Sequence, residues 1–200
     1  MTDMNSTRSY TMTARAQSAA QTGERILDAA VALFWEGPTD RLSLDAVAAR
    51  AGVSTQTVIR RFGGKEGLLV AAVQRESQRV GAQRATAPVG DVTGAVRVLV
   101  DHYEEMGDQV LAMLAAEPHV PGLAPMVDHG REVHREWCRR VFAPALAARS
   151  GVDRTRLLAQ LVAVCDVQTW KLLRRDARLS RRQVERALVE LLEPLMEESR

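Results

Sequence analysis

Apolar residues recur at helical spacing from about residue 20 to the end of the chain, and no segment shows the polar and apolar alternation of a half-buried strand. The spacing predicts a first helix over residues 22–36, ended by Gly37 and Pro38. Two short helices are predicted next, over residues 43–51 and 54–62, and each begins at a serine that can cap its N-terminus. This part of the chain is therefore predicted to be a group of three helices.

Longer helices are predicted in the rest of the chain. A fourth helix begins near Lys65 and ends before Pro88, where residues 85–94 are typical of a hinge. A fifth helix follows over residues 96–114, and the pattern then breaks in a proline-bounded segment, residues 118–125. The fold class that this pattern predicts is all-α.

The C-terminal part of the sequence is the most apolar. A helix over residues 128–149 contains Pro144, which either bends it or opens a new helix. Asp153 is predicted to cap the next helix, and Ser180 with Gln183 forms a capping-box pair for the last one. The apolar stripes on these last two helices are wider than one buried face needs, and an exposed stripe of this kind usually marks an interface with another molecule.

Composition and charge narrow the class of protein. Hydrophobic residues make up 46% and charged residues 26% of the chain, as in an ordinary soluble globular protein. The first 87 residues contain eleven basic and eight acidic residues, and this excess is a mild sign of a polyanionic partner. No apolar stretch is long enough to cross a membrane and no signal peptide is evident, so a cytoplasmic protein without a membrane partner is expected.

The two helices over residues 43–62 have the spacing of a helix-turn-helix. Gly52 supplies the positive φ of the tight turn, and Val53 and Val58 are expected to face inward. The side chains expected on the outer face of the second helix are Thr55, Gln56, Thr57, Arg60 and Arg61. Because glutamine can bind an adenine edge and arginine can bind guanine or phosphate, this face suits the major groove of DNA. Spacing alone does not decide the matter, since short helices joined at a glycine occur in many helical proteins.

Several segments of this region resemble the N-terminal domain of TetR-family transcriptional repressors. The matching segments are residues 25–30, 33–34, 47–48, 51–54, 62 and 65–68, within a region of about residues 22–73. The resemblance implies a three-helix helix-turn-helix DNA-binding domain followed by a larger helical ligand-binding and dimerisation domain. The expected limits are residues 1–20 for a disordered arm, 21–66 for the DNA-binding domain and 67–200 for the second domain. The implied function is that of a homodimeric repressor, released from a palindromic operator in double-stranded DNA by a small-molecule effector.

The resemblance also implies which residues contact DNA. The family's positions fall on Ser43, Ser54, Thr55, Gln56, Arg60, Arg61 and Lys65, and Thr57 and Ile59 complete the predicted set. The family usually has tyrosine where this chain has Ile59, and histidine is common where it has Arg61. Lys65 is placed where its ammonium group and a helix N-terminus can share one phosphate. Arg8 and Arg15 of the arm could reach an adjacent minor groove, although a solvated tail is the simpler interpretation.

For the second domain the resemblance implies a dimer bundle and an effector cavity. The residues predicted at the dimer interface are Leu161, Cys165, Leu172, Val184, Leu188, Leu191 and Leu195. The residues predicted to line a cavity are Tyr103, Met106, Met113, Met126, Trp137, Phe142 and Gln168. Such a lining favours a small apolar or aromatic effector, although methionine and aromatic residues at helical spacing are more often plain core.

Metal, cofactor and enzyme chemistry are not predicted. His129 and His134 are five residues apart, which places them on different sides of a helix, and all the histidines are expected to be exposed or capping. Cys138 and Cys165 are expected to be buried small apolar residues. Phosphate-binding loops, nucleophile elbows and zinc-protease motifs are absent from the sequence, which argues against a helical enzyme. An activator or architectural DNA-binding protein of the same fold remains an alternative.

Overall fold

The computed structural model describes residues 4–36, 43–119 and 123–197. The regular elements are α1 (Met4–Glu36), α2 (Leu44–Ala51), α3 (Thr55–Phe62), α4 (Lys65–Ala85), α5 (Val92–Ala116), α6 (Ala124–Val141), α7 (Ala143–Ala147), α8 (Gly151–Val164), α9 (Val167–Lys171), a π-helical turn (Leu172–Asp176) and α10 (Arg181–Met196). The described residues form helices without strands, so the predicted all-α fold class is confirmed. The chain divides into two compact units, Met1–Ser77 and Gln78–Arg200, with the boundary inside α4.

The N-terminal unit has a core of aliphatic side chains from its four helices. Ile26 of α1, Val47 of α2 and Val58 of α3 are completely buried, and Leu68 of α4 joins them in one cluster. Complete burial of one such side chain stabilises the fold by about 1.5–3 kcal/mol. Because α2 and α3 have only 8 residues each, too few for a stable isolated helix, this shared core holds them in place.

The caps of α2 and α3 confirm the predicted boundaries of the two short helices. The Ser43 hydroxyl oxygen accepts a hydrogen bond from the Ala46 amide, and the Ser54 hydroxyl oxygen accepts one from the Thr57 amide. Gly52 ends α2 with a φ of 66°. For a residue with a Cβ atom, this left-handed conformation costs about 1–2 kcal/mol, so the glycine is suited to the turn.

The first helix is longer than the sequence pattern predicts. It begins at Met4 rather than near Thr22, so the segment expected to be a disordered arm is helical from Met4 onward. Residues 4–22 contain four alanines and neither glycine nor proline, so nothing in this stretch ends a helix that packing has fixed further along the chain. The helix ends at Glu36 as predicted, and the proposed glycine–proline stop lies outside the described residues.

The C-terminal unit packs α5, α6, α8 and α10 around a second core. Trp170 and Leu161 are completely buried at its centre. On α5 the buried positions include Val96, Leu99 and Tyr103, which follow the helical spacing of the sequence. None of the described helices combines the length and the apolar character that spanning a membrane requires.

Prolines set the start of two helices in this unit. α6 begins at Ala124 with a proline in its first turn, four residues earlier than the predicted start at Asp128. Proline is well suited to that position because the amide hydrogen it lacks would have no helical partner there. Pro144 opens the separate helix α7 rather than bending a longer one, which was one of the two predicted outcomes.

The long apolar helix predicted after Asp153 is divided in two. Ser150 rather than Asp153 precedes α8, and Asp153 lies in its first turn, where a carboxylate is favourable for the helix dipole. α8 ends at Val164, and Asp166 caps α9 by accepting a hydrogen bond from the Gln168 amide. The prediction of one long helix was wrong. A single aspartate, Asp166, separates the two helices, but the apolar periodicity of the sequence continues across it. The capping box predicted for α10 is present.

Candidate nucleic-acid interface

α2 and α3 are joined by a three-residue turn, residues 52–54. The Gly52 amide donates hydrogen bonds to the carbonyl oxygens of Ala48 and Ala49, and the Val53 amide donates to the Ala48 carbonyl over 3.0 Å. Val53 is half-buried at the turn. These bonds fix the path of the chain between the two helices, so α3 is held by a rigid connection.

α3 presents one polar face to solvent. Val58 is completely buried on the opposite face, and Thr55 and Thr57 are half-buried. The exposed side chains are Gln56, Ile59, Arg60 and Arg61. Ile59, with 39% of its surface exposed, is an apolar residue on an otherwise polar face. The predicted inward position of Val58 is confirmed.

Four of the predicted DNA-contacting side chains also hold the motif together. The Ser43 and Ser54 hydroxyl oxygens cap helices. The Thr55 hydroxyl donates to the Asp45 carboxylate over 2.6 Å, which ties α3 to α2. The Thr57 hydroxyl lies 2.9 Å from the Ser54 hydroxyl. These four hydroxyls therefore stabilise the helix-turn-helix as well as lying near its outer face.

Three basic side chains on α3 and at the start of α4 have no acidic partner in the part of the chain that the structure describes. Arg60, Arg61 and Lys65 form no ion pair with any residue in the described ranges, and α3 itself contains no acidic residue. Arg50 on α2 differs, because it donates to the Glu36 carboxylate over 2.7 Å and thereby lowers the pKa of Glu36. The face around α3 thus keeps its positive charge for a ligand.

The guanidinium of Arg61 lies directly against α1. A Cβ atom added at Gly23 would be 2.7 Å from Arg61 Cζ, closer than real Cβ contacts come. Glycine at this position therefore makes room for Arg61. The side chains of Arg8 and Arg15, proposed for a minor-groove contact, lie outside the described part of the chain.

Residues 26–72 match the family described as bacterial regulatory proteins, tetR family. The chain contains a TetR-family N-terminal domain. The matched residues comprise α2, the turn and α3, with parts of α1 and α4, so the resemblance drawn from the sequence is confirmed.

Proteins similar to this chain are named as transcriptional regulators. An HTH-type transcriptional regulator of Mycobacterium tuberculosis is 36% identical over 77 residues, which are 38% of this chain and 38% of that protein. The HTH-type transcriptional repressor LfrR of Mycolicibacterium smegmatis is 29% identical over 163 residues, which are 69% of this chain and 85% of that protein. The chain thus spans well under half the length of the first relative and most of the length of the second.

A solved structure is similar in fold to most of this chain. The transcriptional regulator FadR from Bacillus subtilis, in complex with stearoyl-CoA, aligns with a TM-score of 0.62 and 14% sequence identity. The alignment covers 84% of this chain and 96% of that one. At so low an identity the likeness shows the fold alone.

The candidate effector residues of the second unit differ in burial. The buried ones are Tyr103, Met106, Trp137 and Phe142. Met113 and Met126 are half-buried, and Gln168 on α9 is exposed. Tyr103 and Trp137 share a polar neighbour that the sequence analysis missed, because both rings lie against the guanidinium of Arg84 in the last turn of α4.

Arg84 is at the centre of a buried hydrogen-bond network. Its Nη1 donates to Nδ1 of His134 over 3.1 Å, and its Nη2 donates to the Tyr103 hydroxyl over 3.2 Å. Since arginine can only donate, His134 Nδ1 is the acceptor, and Nε2 therefore holds the proton and donates to the Val162 carbonyl over 3.2 Å. The Tyr103 hydroxyl donates in turn to the Cys165 carbonyl over 2.9 Å. The sequence pattern of α4 gave no sign that Arg84, in the last turn of that helix, would be buried.

The predicted dimer-interface residues fall into two groups. Leu161, Cys165, Val184 and Leu188 are at most 1% exposed within the single chain, so they belong to its own core and offer no surface to a partner. Their apolar periodicity was correctly identified, but a buried face and an interface face look alike in sequence. The predicted interface residues that keep exposed surface are Leu172 at 59%, Leu191 at 48% and the half-buried Leu195.

Two of the four histidines are buried, which corrects the expectation that all would be exposed or capping. His102 and His134 are 4% and 8% exposed, and each has a side-chain hydrogen bond. Burial, reinforced by the charge of Arg84, lowers the pKa of His102 from 6.5 to about 3. Within the described ranges, no three histidine, cysteine or acidic side chains lie close enough to share a metal ion. Both cysteines are buried as expected.

Proposed function

We propose that this chain is a homodimeric transcriptional repressor that binds a twofold-symmetric DNA operator and releases it when a small molecule binds the C-terminal unit. The observation that supports DNA binding most directly is the outer face of α3, where Gln56, Arg60 and Arg61 are exposed and neither arginine has a described acidic partner. The names of relatives such as LfrR favour repression over activation. The proposal places the protein in the cytoplasm, where bacterial DNA is found.

In this proposal α3 enters the major groove. Gln56 in its first turn binds a base edge, and Ile59 contacts a thymine methyl group. Arg60, Arg61 and Lys65 neutralise phosphates, with the N-terminus of α4 beside Lys65 supplying further positive potential. The four hydroxyls of the motif fix the register of α3. The Ser43 hydroxyl accepts in the structure and so can donate its hydrogen to a backbone phosphate, whereas the Thr55 hydrogen is used by Asp45.

The dimer in this proposal is formed through the C-terminal helices. Leu191 and Leu195 of α10 and Leu172 of the π-helical turn are apolar side chains with surface left for a partner. Two identical α3 helices related by a twofold axis bind half-sites about 34–36 Å apart or a multiple of that distance, which is why a palindromic operator is expected.

The effector in this proposal is a small molecule with an apolar or aromatic part. Tyr103, Trp137 and Phe142 are contributed by α5, α6 and the residue that follows α6. Aromatic side chains with a few polar groups among them are typical of small-molecule sites. A structural neighbour of this fold, FadR, was solved in complex with stearoyl-CoA, which is compatible with a small-molecule effector.

Selection of bound duplexes from a random DNA library tests the central claim. We expect a palindromic winner that the protein binds at least about 10³-fold more tightly than random DNA. Titration of that duplex at two salt concentrations then gives the slope of the binding constant against salt, from which the number of neutralised phosphates follows. Binding without sequence enrichment would instead support an architectural role, and an absence of binding would contradict the proposal.

A further inference from the structure

Arg84 is a buried cation for which the described part of the chain provides no acidic side chain as a partner. Only 5% of its surface is exposed, and it forms no ion pair with any residue in the described ranges. A charge removed from water in this way destabilises a fold unless an opposite charge compensates it. The arrangement around Arg84 therefore needs an explanation beyond packing.

Two arginines that contact α5 in this unit differ from Arg84, because each has a carboxylate partner. Arg174, with a side chain 29% exposed, donates to the Glu104 carboxylate over 2.8 Å. Arg175, at 35%, donates to the Asp108 carboxylate over 2.8 Å. Arg174 and Arg175 thus each have a carboxylate partner on α5, whereas the more deeply buried Arg84 has none among the described residues.

The guanidinium of Arg84 also has hydrogen-bond donors to spare. It offers five N–H groups, and the acceptors of the side chain are His134 Nδ1 and the Tyr103 hydroxyl. Nε is buried and has no acceptor among the described residues. Both acceptors are neutral, so neither offsets the charge.

The surroundings of Arg84 are aromatic. The rings of Tyr103 and Trp137 lie with their centroids 5.5 and 5.6 Å from its Cζ. The Cys138 thiol is on the far side of His134, 3.9 Å from Nε2, and does not bond to Arg84. An anion that pairs with this guanidinium would therefore have apolar surfaces beside it.

We propose that Arg84 binds the carboxylate of an apolar organic acid, with the aromatic rings of Tyr103 and Trp137 beside the hydrocarbon part of that acid. The planar guanidinium matches a carboxylate through two parallel hydrogen bonds, and the acid supplies the negative charge that the chain does not. This inference rests on the proposed effector-dependent function, and it names the chemical class of the effector. His134 and Tyr103 position the guanidinium from either side.

Calorimetric titration of the full chain with octanoate and with 2-naphthoate tests the inference, with octanamide and 2-naphthamide as neutral controls of the same shape. We expect saturable binding of at least one acid, and at least about tenfold weaker binding of its amide. Arg84→Met is expected to weaken binding of that acid by at least about tenfold as well. Arg97→Gln, which removes the charge of an exposed arginine on α5, should leave the affinity unchanged.

A thermal melt without ligand separates a binding role from a structural one. Because Arg84→Met removes an uncompensated charge and keeps the volume apolar, its melting temperature is expected to be no lower than that of the parent. If that variant does not fold, Arg84→Lys keeps the charge but loses the planar fork, and it should bind the acid at least about threefold more weakly.

Two results would overturn the inference. One is equal affinity of the acids for the parent and for the folded Arg84 variant. The other is no saturable binding of either acid by the parent. The titration contains no DNA, so a failure of the proposed operator binding would leave its outcome unaffected and the two claims are tested apart.

Discussion

Gln56 and Arg61 lie on the same exposed face of α3 but should contribute differently to DNA binding. Replacing Gln56 by alanine removes a base contact, so we expect a loss of about 1–3 kcal/mol that is largest for the preferred operator and relaxes the preference at one base pair. Replacing Arg61 by alanine removes a phosphate contact, so affinity should fall for all sequences alike and the salt slope should decrease by about one. Titrations of operator and random duplexes at several salt concentrations measure both effects. Equal losses on both duplexes for both variants would contradict this assignment.

His102 gives the C-terminal unit a dependence on pH. It donates from Nδ1 to Gln83 of α4, and it faces the positive charges of Arg84 and Arg79 on the same helix. The imidazole of His134 on α6 also lies near it, and that ring is neutral while its Nδ1 accepts from Arg84. Because its pKa falls from 6.5 to about 3 on folding, the unfolded chain takes up a proton that the folded chain does not. Stability is therefore complete above pH 6.5 and decreases as the pH falls from there toward 3.

The loss attributable to His102 should be about 2 kcal/mol between pH 6.5 and pH 5. Urea denaturation at both pH values measures it. His102→Asn keeps a donor for Gln83 but cannot titrate, so its stability should change less over the same range. An identical pH dependence in the variant and the parent would assign the effect to other groups.

At the scale of elements, the turn between α2 and α3 depends on the backbone of Gly52. A Cβ atom at Gly52 or at Gly81 would meet no atom within 4 Å, but only Gly52 has a positive φ. Gly52→Ala is therefore expected to lower the free energy of unfolding by about 1–2 kcal/mol. Gly81→Ala, inside α4, should raise it by about 0.5–1 kcal/mol. Denaturation followed by circular dichroism compares the two, and a stabilised Gly52→Ala variant would show that the turn tolerates a side chain.

Elements whose signals are local were predictable from the sequence. Ser43, Ser54 and Gly52 lie within a few residues of the helices that they begin or end, so the helix-turn-helix was found with its boundaries. The division between α8 and α9 was missed because Asp166 interrupts an apolar stripe whose periodicity continues across it. Arg84 was missed for a different reason, since its burial depends on side chains contributed by α5 and α6.

At the scale of the whole molecule, the proposed dimer depends on apolar side chains that the single chain leaves exposed. Leu191 is 48% exposed on α10, so Leu191→Glu would place two charges at the proposed interface without disturbing the core. We expect the dimer dissociation constant to rise at least about 100-fold, about 2.7 kcal/mol, and monomers to dominate at micromolar concentration. Analytical ultracentrifugation measures the change.

Val89→Glu is the matched control for the dimer, because Val89 is 54% exposed in the connection between α4 and α5. That variant should remain dimeric. Leu188→Glu is unsuitable, since Leu188 is 1% exposed and a charge there would unfold the unit. A Leu191→Glu variant that stays dimeric would move the interface away from α10.

The indole of Trp137 lies against Arg84, so its fluorescence emission can report on the surroundings of Arg84. It donates its N–H to the Arg84 carbonyl over 3.0 Å, and the guanidinium of the same residue lies 5.6 Å from its ring centroid. Because indole emission depends on the charge and polarity around the ring, compensation of Arg84 by an anion should shift the emission of Trp137. The chain therefore contains an intrinsic, label-free reporter at the position where an effector is proposed to bind.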